Sequence, residues 1–226
     1  MNTVAVCLEK SHLKHQRNMQ MLQWTIEHEI ADKGYKNICG IDEAGRGPLA
    51  GPVCAAAVIL PDGCQIDGLN DSKKISEKKR DLLFDEIKNT ALAYSIVMVD
   101  HKKIDEINIL QATYLAMKNA VEGLNIKADY TLVDGNRSQG LNIPFSCIVK
   151  GDAKSPSIAA ASILAKVTRD RYMLQMAEKY PEYAFEKHKG YGTKVHYNAI
   201  LEHGACEIHR LTFLKKFYEK HPEAKR

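Results

Sequence analysis

Ile41-Asp42-Glu43-Ala44-Gly45-Arg46-Gly47-Pro48-Leu49-Ala50-Gly51-Pro52 sets two adjacent carboxylates where an apolar, strand-like segment gives way to a glycine-rich loop carrying one arginine. Residues 37–42 read as a short strand and 53–60 as a second, closed by the turn Pro61-Asp62-Gly63. Strand, polar glycine loop and strand in succession predict a hairpin with its loop exposed at one end. Two further aspartates stand at similar junctions. Asp134 ends the apolar run 130–133, and Asp152 follows the run 145–149.

Outward from the hairpin, helical and strand-like segments alternate. Met21, Leu22, Thr25, Ile26 and Ile30 share helical spacing over 18–32, and Gly34 stops that helix. Ser76 is placed to cap a helix running to 89, with Leu82, Leu83 and Ile87 expected to face inward. Residues 91–99 are strand-like, and 104–121 carry Ile107, Leu110, Tyr114, Met117 and Val121 near a helical stripe. Ser155-Pro156 supplies an N-cap and a first-turn proline for the clearest helix, which stops before Pro181. Its alanine-rich stretch 158–166 permits close approach to a neighbouring element. An irregular basic loop is expected over 182–192, then helices over 193–202 and 211–219, the last with Leu214 and Phe217 on one side. The whole pattern predicts an α/β fold, a mixed β-sheet flanked by helices. It divides into an N-terminal extension over 1–35, a core over 36–180, and a loop with a helical C-terminal extension over 181–226.

Of the 226 residues 45% are apolar and 27% charged, enough to bury a sizeable core. The net charge of +4 is uneven: residues 1–113 hold 14 Lys/Arg against 16 Asp/Glu, and 114–226 hold 18 against 12. A surface basic toward the C-terminal half suits a polyanionic partner. Six cysteines without a CxxC pair fit a reduced, cytoplasmic protein, and the first 20 residues lack an apolar signal core. No apolar stretch is long enough to cross a bilayer as a helix, so no membrane partner is expected.

The chemistry follows from the acids. Magnesium and similar hard cations prefer oxygen ligands, and two such ions about 4 Å apart can activate water and stabilise the leaving oxygen of a phosphodiester. Asp42, Glu43, Asp134 and Asp152 are sufficient in number and type. Neighbouring strand residues point to opposite faces, so Asp42 and Glu43 share a site only if the strand ends at Glu43. Gly45 and Gly47 let the backbone approach a ligand closely, and Arg46 can contact phosphate. Lys73, Lys74, Lys78, Lys79 and Arg80 crowd a helix start, an unfavourable end for cations that substrate phosphate would offset; Lys73 is the preferred phosphate contact. His188, His196 and His203 have a zinc-like rhythm but no compact set with cysteine, so zinc is not expected.

The run 42–53 resembles the first signature of the ribonuclease HII family, and Asn70-Asp71-Ser72-Lys73-Lys74 resembles the second. Asp134-Gly135-Asn136, Lys150-Gly151-Asp152 with Ser157 to Ser162, and His188-Lys189-Gly190-Tyr191-Gly192-Thr193 complete the series in order over about residues 36–196. The resemblance implies a ribonuclease H-like core that hydrolyses the RNA strand of RNA–DNA hybrids. It also implies incision of duplex DNA 5′ of an embedded ribonucleotide, leaving 3′-hydroxyl and 5′-phosphate ends. Asp42, Glu43, Asp134 and Asp152 would be the catalytic ligands of Mg2+ or Mn2+. Gly45, Arg46 and Gly47 would contact the ribose 2′-hydroxyl and adjoining phosphates, and Tyr191 would pack on the neighbouring sugar. Lys187 and Lys189, flanking that tyrosine, are expected on backbone phosphates. Two other readings stand beside this one: a metal-dependent, structure-specific DNA nuclease on a similar fold, and a non-catalytic nucleic-acid binder. A monomer is the default.

Overall fold

A computed structural model of the chain describes residues 22–70, 72 and 75–224. The elements are α1 (Thr25–Ala31), β1 (Ile38–Ala44), β2 (Val53–Ile59), α2 (Glu77–Thr90), β3 (Ala93–Val99) and α3 (His101–Glu122). They continue as β4 (Tyr130–Asp134), β5 (Phe145–Ile148), α4 (Pro156–Lys179), α5 (Phe185–His188), α6 (Lys194–His203) and α7 (Leu211–Lys220). One five-stranded sheet has the order β3-β2-β1-β4-β5. β1 pairs antiparallel with β2, as the hairpin predicts, and parallel with β4; β2–β3 is antiparallel and β4–β5 parallel.

Strand alternation sorts the core into two layers. On β1, Cys39 and Ile41 face α3; on β2, Val53, Ala55, Ala57 and Ile59 do the same. Cys54, Ala56 and Val58 face the opposite way, toward α2 and α4. Every residue of β2 is buried, which is why its sequence reads as an unbroken apolar run. The alanines of α4 let it lie almost on the backbone of β1: a Cβ added at Gly40 would fall 2.1 Å from the carbonyl carbon of Ser157.

Four caps hold the helix starts. Ser76, Asp100, Ser155 and Thr193 each accept from the amide three residues on, at 3.4, 2.8, 3.2 and 3.3 Å. The N-terminal extension, where described, adds to the third of these. Glu27 of α1 is buried, and its Oε1 accepts from Ser155 Oγ (2.6 Å) and Ser157 N (3.2 Å), a carboxylate seated at the positive end of α4.

Some details differ from the sequence pattern. Leu82 is 65% exposed, because the buried face of α2 is Leu83, Phe84 and Ile87, and Leu82 lies a sixth or more of a turn outside it. α3 is broken at Asn108 (φ 66°), whose Oδ1 accepts from Leu110 and Gln111 amides and so starts a second helix. The kink rotates the buried face to Ala112, Thr113, Ala116, Met117 and Ala120. Segment 182–192 is less irregular than expected: the turn Pro181–Tyr183 and α5 bury Tyr183 and Phe185 in a third cluster with α6 and α7. On α7 Leu214 and Phe217 pack on one cluster as expected, and Tyr218 joins them, more deeply buried than Phe217. The expected positions 18–21 and Lys73 lie outside the described residues. Among the described residues no helix is long and apolar enough to cross a membrane.

Gly40→Ala forces its methyl group into α4 main chain that cannot retreat. The expected loss is about 3 kcal/mol or more, a fall in Tm on the order of 10 °C. A melting curve matching the wild type would show that α4 does not sit on β1 this closely.

Candidate active site

The loop after β1 is shaped from beneath by two buried arginines. Arg169 of α4 donates to the carbonyls of Pro52 (3.0 Å), Lys189 (3.1 Å) and Ala50 (3.2 Å). Arg210, just before α7, donates to those of Gly51 (2.9 Å), Arg46 (2.9 Å) and Gly45 (2.6 Å). In a planar trans peptide the N–H points opposite to the C=O. With the Gly45 and Arg46 carbonyls drawn down to Arg210, the amides of Arg46 and Gly47 face the other way. Gly45 itself has φ +93°, and a Cβ there would fall 2.0 Å from Arg169 Nε, so backbone conformation and packing both require glycine. Burial, and then the charge of Arg169, push the Arg210 guanidinium down to about 9.

The acids gather at the ends of two adjacent parallel strands. Register pairs Ile41 with Val133, which brings Asp42 beside Asp134. Asp42 is buried and faces α4, where Ser162 hydrogen-bonds its carboxylate; its Oδ1 also accepts from the Glu43 amide at 2.7 Å. Burial pushes its carboxyl well above the ordinary range, and the charges of Glu43 and Asp134 add to that. β1 continues one residue past Glu43, to Ala44, so Glu43 takes the opposite face, near Thr113, Tyr114 and Met117 of α3. Its Oε1 lies 3.2 Å from Arg46 Nη1. Asp134 Oδ1 accepts from Gly151 N at 2.6 Å, which ties β4 to the turn Gly151–Ala153 that carries buried Asp152. The expected condition that the strand end at Glu43 is not met, yet Asp42 and Glu43 line one cleft and the charges of Glu43 and Asp134 both act on Asp42; Asp152 is linked to Asp134 through one amide. Each of these contacts is with a donor of the chain itself, and among the described residues no three acids form a ready-made metal-binding group.

A cleft of about 340 Å³ runs over this corner, lined by Asp42, Glu43, Gly45, Arg46, Gly47, Ser72, Ser162, Lys166, Arg169 and Tyr191. A smaller one of about 190 Å³ continues past Glu43 and Arg46 to Asp134, Asn136 and Arg137. The Tyr191 ring, 45% exposed, reaches the glycine loop: a Cβ on Gly47 would be 3.5 Å from its Cε1. Lys187 is exposed on α5. Lys189 is half-buried, its Nζ on the carbonyl of Glu186 (2.7 Å) and its own carbonyl on Arg169. Ser72, from the second expected signature, docks here through Ser162 Oγ at 2.9 Å. Lys166, Arg169 and Arg210 were not flagged by the sequence pattern, since a helix-borne arginine and one in a connecting segment look like ordinary surface cations until the loop carbonyls are placed over them.

This geometry agrees with a known sequence pattern: the profile described as Ribonuclease HII matches residues 39–216. The chain belongs to the ribonuclease HII family. It is 58% identical over 190 residues to the Ribonuclease HII of Caldicellulosiruptor saccharolyticus, covering 84% of this chain and 93% of that protein. It is 55% identical over 211 residues to that of Acetivibrio thermocellus, covering 92% and 82%. Among solved structures, the ribonuclease H2 from Pyrococcus horikoshii OT3 superposes with a TM-score of 0.70 at 26% identity, over 83% of this chain and 100% of that one. As a ribonuclease HII the chain is a ribonuclease H-type hydrolase, an endonuclease acting on the RNA of RNA–DNA hybrids.

Two expected outcomes test the site's electrostatics and its scaffold. The raised Asp42 carboxyl means that the native state binds a proton more tightly than the unfolded chain, so ionisation lowers stability as pH rises above the unfolded value of about 4. Asp42→Asn in chelator at pH 7 is expected to raise Tm by about 2–4 °C, a gain on the order of 1 kcal/mol that fades as pH falls toward 4. A lower Tm would place Asp42 in a stabilising ion pair instead. Arg210→Lys keeps charge but not the planar fork, and should destabilise by about 2–4 kcal/mol. Unaltered denaturant melting would mean that the loop holds its shape alone.

Proposed function

We propose that this ribonuclease HII, besides cleaving the RNA strand of hybrids, incises duplex DNA on the 5′ side of a single embedded ribonucleotide. The observation that carries the reading is the seating of the Tyr191 ring against Gly47, in the same cleft as Asp42 and Glu43. The Arg46 and Gly47 amides, turned away from Arg210, are the donors for the ribose 2′-hydroxyl. Amides at close range suit this task because they read sugar and shape rather than base identity. A site built to bond a hydroxyl also rejects the substrate lacking it. Tyr191 packs on the adjoining sugar. Arg46, half-exposed, exchanges its contact with Glu43 for the phosphate, and Lys187, Lys189 and Lys73 follow the backbone as counter-charges.

The donor set suits hard divalent cations: carboxylate oxygens only, with Asp42 burdened by burial and by two neighbouring charges. Asp42, Glu43, Asp134 and Asp152 would hold Mg2+ or Mn2+, two ions in the working complex. Such ions, when bound, make water a nucleophile at neutral pH and stabilise the leaving oxygen. Water adds to phosphorus and the P–O3′ bond breaks, so one strand ends in a 3′-hydroxyl while the phosphate stays on the ribonucleotide's 5′ side. Glu43, on the strand face opposite Asp42, is released for a cation when Arg46 leaves it for the phosphate. The partners are RNA–DNA hybrids and ribonucleotide-containing DNA. We take the protein to act as a monomer in a reducing cytoplasm, which its five described cysteines, all free, suit.

The competing reading is a structure-specific DNA nuclease using the same acids without regard to sugar. Matched duplexes, one all DNA and one with a single ribonucleotide, are offered with Mg2+ or Mn2+. The expected result is one cut, immediately 5′ of the ribonucleotide, with a 3′-hydroxyl end and an intact all-DNA duplex. Equal cutting of both duplexes would support the sugar-blind nuclease and reject sugar sensing by the loop.

A further inference from the structure

Behind Tyr191 lies a group of imidazoles that phosphodiester cleavage does not use. His188 and His196 stack with ring centroids 4.6 Å apart and planes 20° from parallel. His196 also meets His209, Nε2 to Nε2, at 2.9 Å. Tyr183 and Phe185 wall the group, their centroids 5.0 Å from His209 and 5.4 Å from His196. All three imidazoles are buried.

The backbone determines where their protons are. A main-chain amide only donates and a carbonyl only accepts. Cys206 N–H lies 2.9 Å from His209 Nδ1, so Nδ1 accepts and the ring proton sits on Nε2. That proton points at His196 Nε2, which therefore accepts, leaving the His196 proton on Nδ1, 3.0 Å from the Tyr191 carbonyl. In the reverse assignment His209 Nδ1 donates to the Cys206 carbonyl at 3.3 Å, but an unprotonated His196 Nδ1 then faces the Tyr191 carbonyl, acceptor against acceptor. His188 follows the same logic, with Gly190 N–H donating to its Nδ1 (3.2 Å) and its Nε2–H to the Tyr183 carbonyl (2.9 Å).

The chain of bonds works only with neutral rings: a second proton on His196 sets two N–H groups face to face between the Nε2 atoms (2.9 Å), and a second proton on His209, at Nδ1, sets an N–H against the Cys206 amide (2.9 Å). Burial pushes His196 down to about 4 and His209 to about 3. The titratable neighbours add to this: His188 bears on both rings, and His101 of α3 on His209. Cys206, whose Sγ is 3.1 Å from His209 Nδ1, has its thiol pushed up to about 11 by burial and stays protonated.

We propose that His209 and His196 form a one-way, neutral hydrogen-bond relay that sets the Tyr191 carbonyl and so seats the Tyr191 ring against Gly47. Both are positioning residues for sugar recognition, an inference that rests on the role given to Tyr191 above. Thr193 N–H also donates to that carbonyl (2.8 Å), but it belongs to the same turn and moves with it. The relay instead ties the tyrosine to the segment that carries Arg210, whose fork orients the amides of Arg46 and Gly47. Ring and amides are thereby held in mutual register.

Two measurements on the full chain decide it. Nitrogen-15 spectra of the histidine rings at pH 7 should show His196 protonated on Nδ1 and His209 on Nε2. Reversed positions, or a charged ring, would overturn the relay. In the second, cleavage of a duplex with one ribonucleotide is followed in variants. His196→Phe should lose roughly tenfold in kcat/KM. His196→Asn, whose amide can again donate to the Tyr191 carbonyl, should recover most of it. In a Tyr191→Ala background His196→Phe should add nothing, and a full tenfold loss there would show that the histidine acts on folding alone. Wild-type cleavage by Tyr191→Ala itself would defeat the sugar-sensing role, and the positioning role with it.

Discussion

Arg169 and Arg210 spend their N–H groups on main-chain carbonyls from both sides of the cleft, and the shape of the substrate-facing loop depends on that choice. Taking two guanidiniums out of water is costly: burial lowers both, and the charge of Arg169 lowers Arg210 further. The cost is offset because a guanidinium is a rigid, planar set of donors matched to several carbonyls at once, which an ammonium cannot be. Within the run, Leu49 and Ala50 pack into the core, but the stretch Gly45-Arg46-Gly47 has no buried side chain of its own to specify a conformation. Carbonyls anchored below leave the amides above, so the glycine loop adds main-chain donors to a cleft otherwise lined by charged and polar side chains.

The two halves of the site are built by different physics. The acidic half belongs to the sheet: pairing of β1 with β4 sets Asp42 beside Asp134, and strand alternation sends Glu43 to the far face. Nothing in that geometry relieves the mutual repulsion of the carboxylates, and the chain answers it locally with Ser162, the Glu43 amide, Arg46 and the Gly151 amide. The half made of the glycine loop and Tyr191 belongs to loops, and is held by side chains borne on α4, on α6 and on the segment before α7. Rigid pleat on one side and pinned loops on the other leave the cleft between them for a strand of nucleic acid.

Much of this architecture is legible in the sequence itself. Ser76, Ser155 and Thr193 announce helix starts because capping is local, and the hairpin around the glycine loop follows from composition over twenty residues. Asp42 and Asp134 stand at the ends of paired strands as their sequence context suggests, whereas Asp152 lies in the turn Gly151–Ala153 beyond β5. Arg210 is not legible, because its partners Gly45 and Arg46 lie 165 and 164 residues away, and nothing near it distinguishes it from a solvated cation. Leu82 was misplaced because three consecutive apolar residues leave the helix face ambiguous until α4 packs against it. The histidines at 188 and 196 suggested metal spacing, whereas the pairing that matters joins His196 to His209, a residue outside that rhythm.

The C-terminal segment is therefore part of the site rather than an ornament on it. Arg210 N donates to Leu49 O (2.8 Å), Gly51 N to Ile208 O (2.9 Å), and Leu49 N to Gly190 O (2.8 Å), so three distant stretches close on one another through main-chain bonds. Ala50 and His209 form a short antiparallel bridge at the same place. This segment supplies both the fork under Gly45 and Arg46 and, through His209, the far end of the relay behind Tyr191. The acids and the glycine loop are thus placed by different contacts: the first by strands that pair within residues 38–134, the second by bonds that exist only once residues near 210 have folded back onto residues near 50.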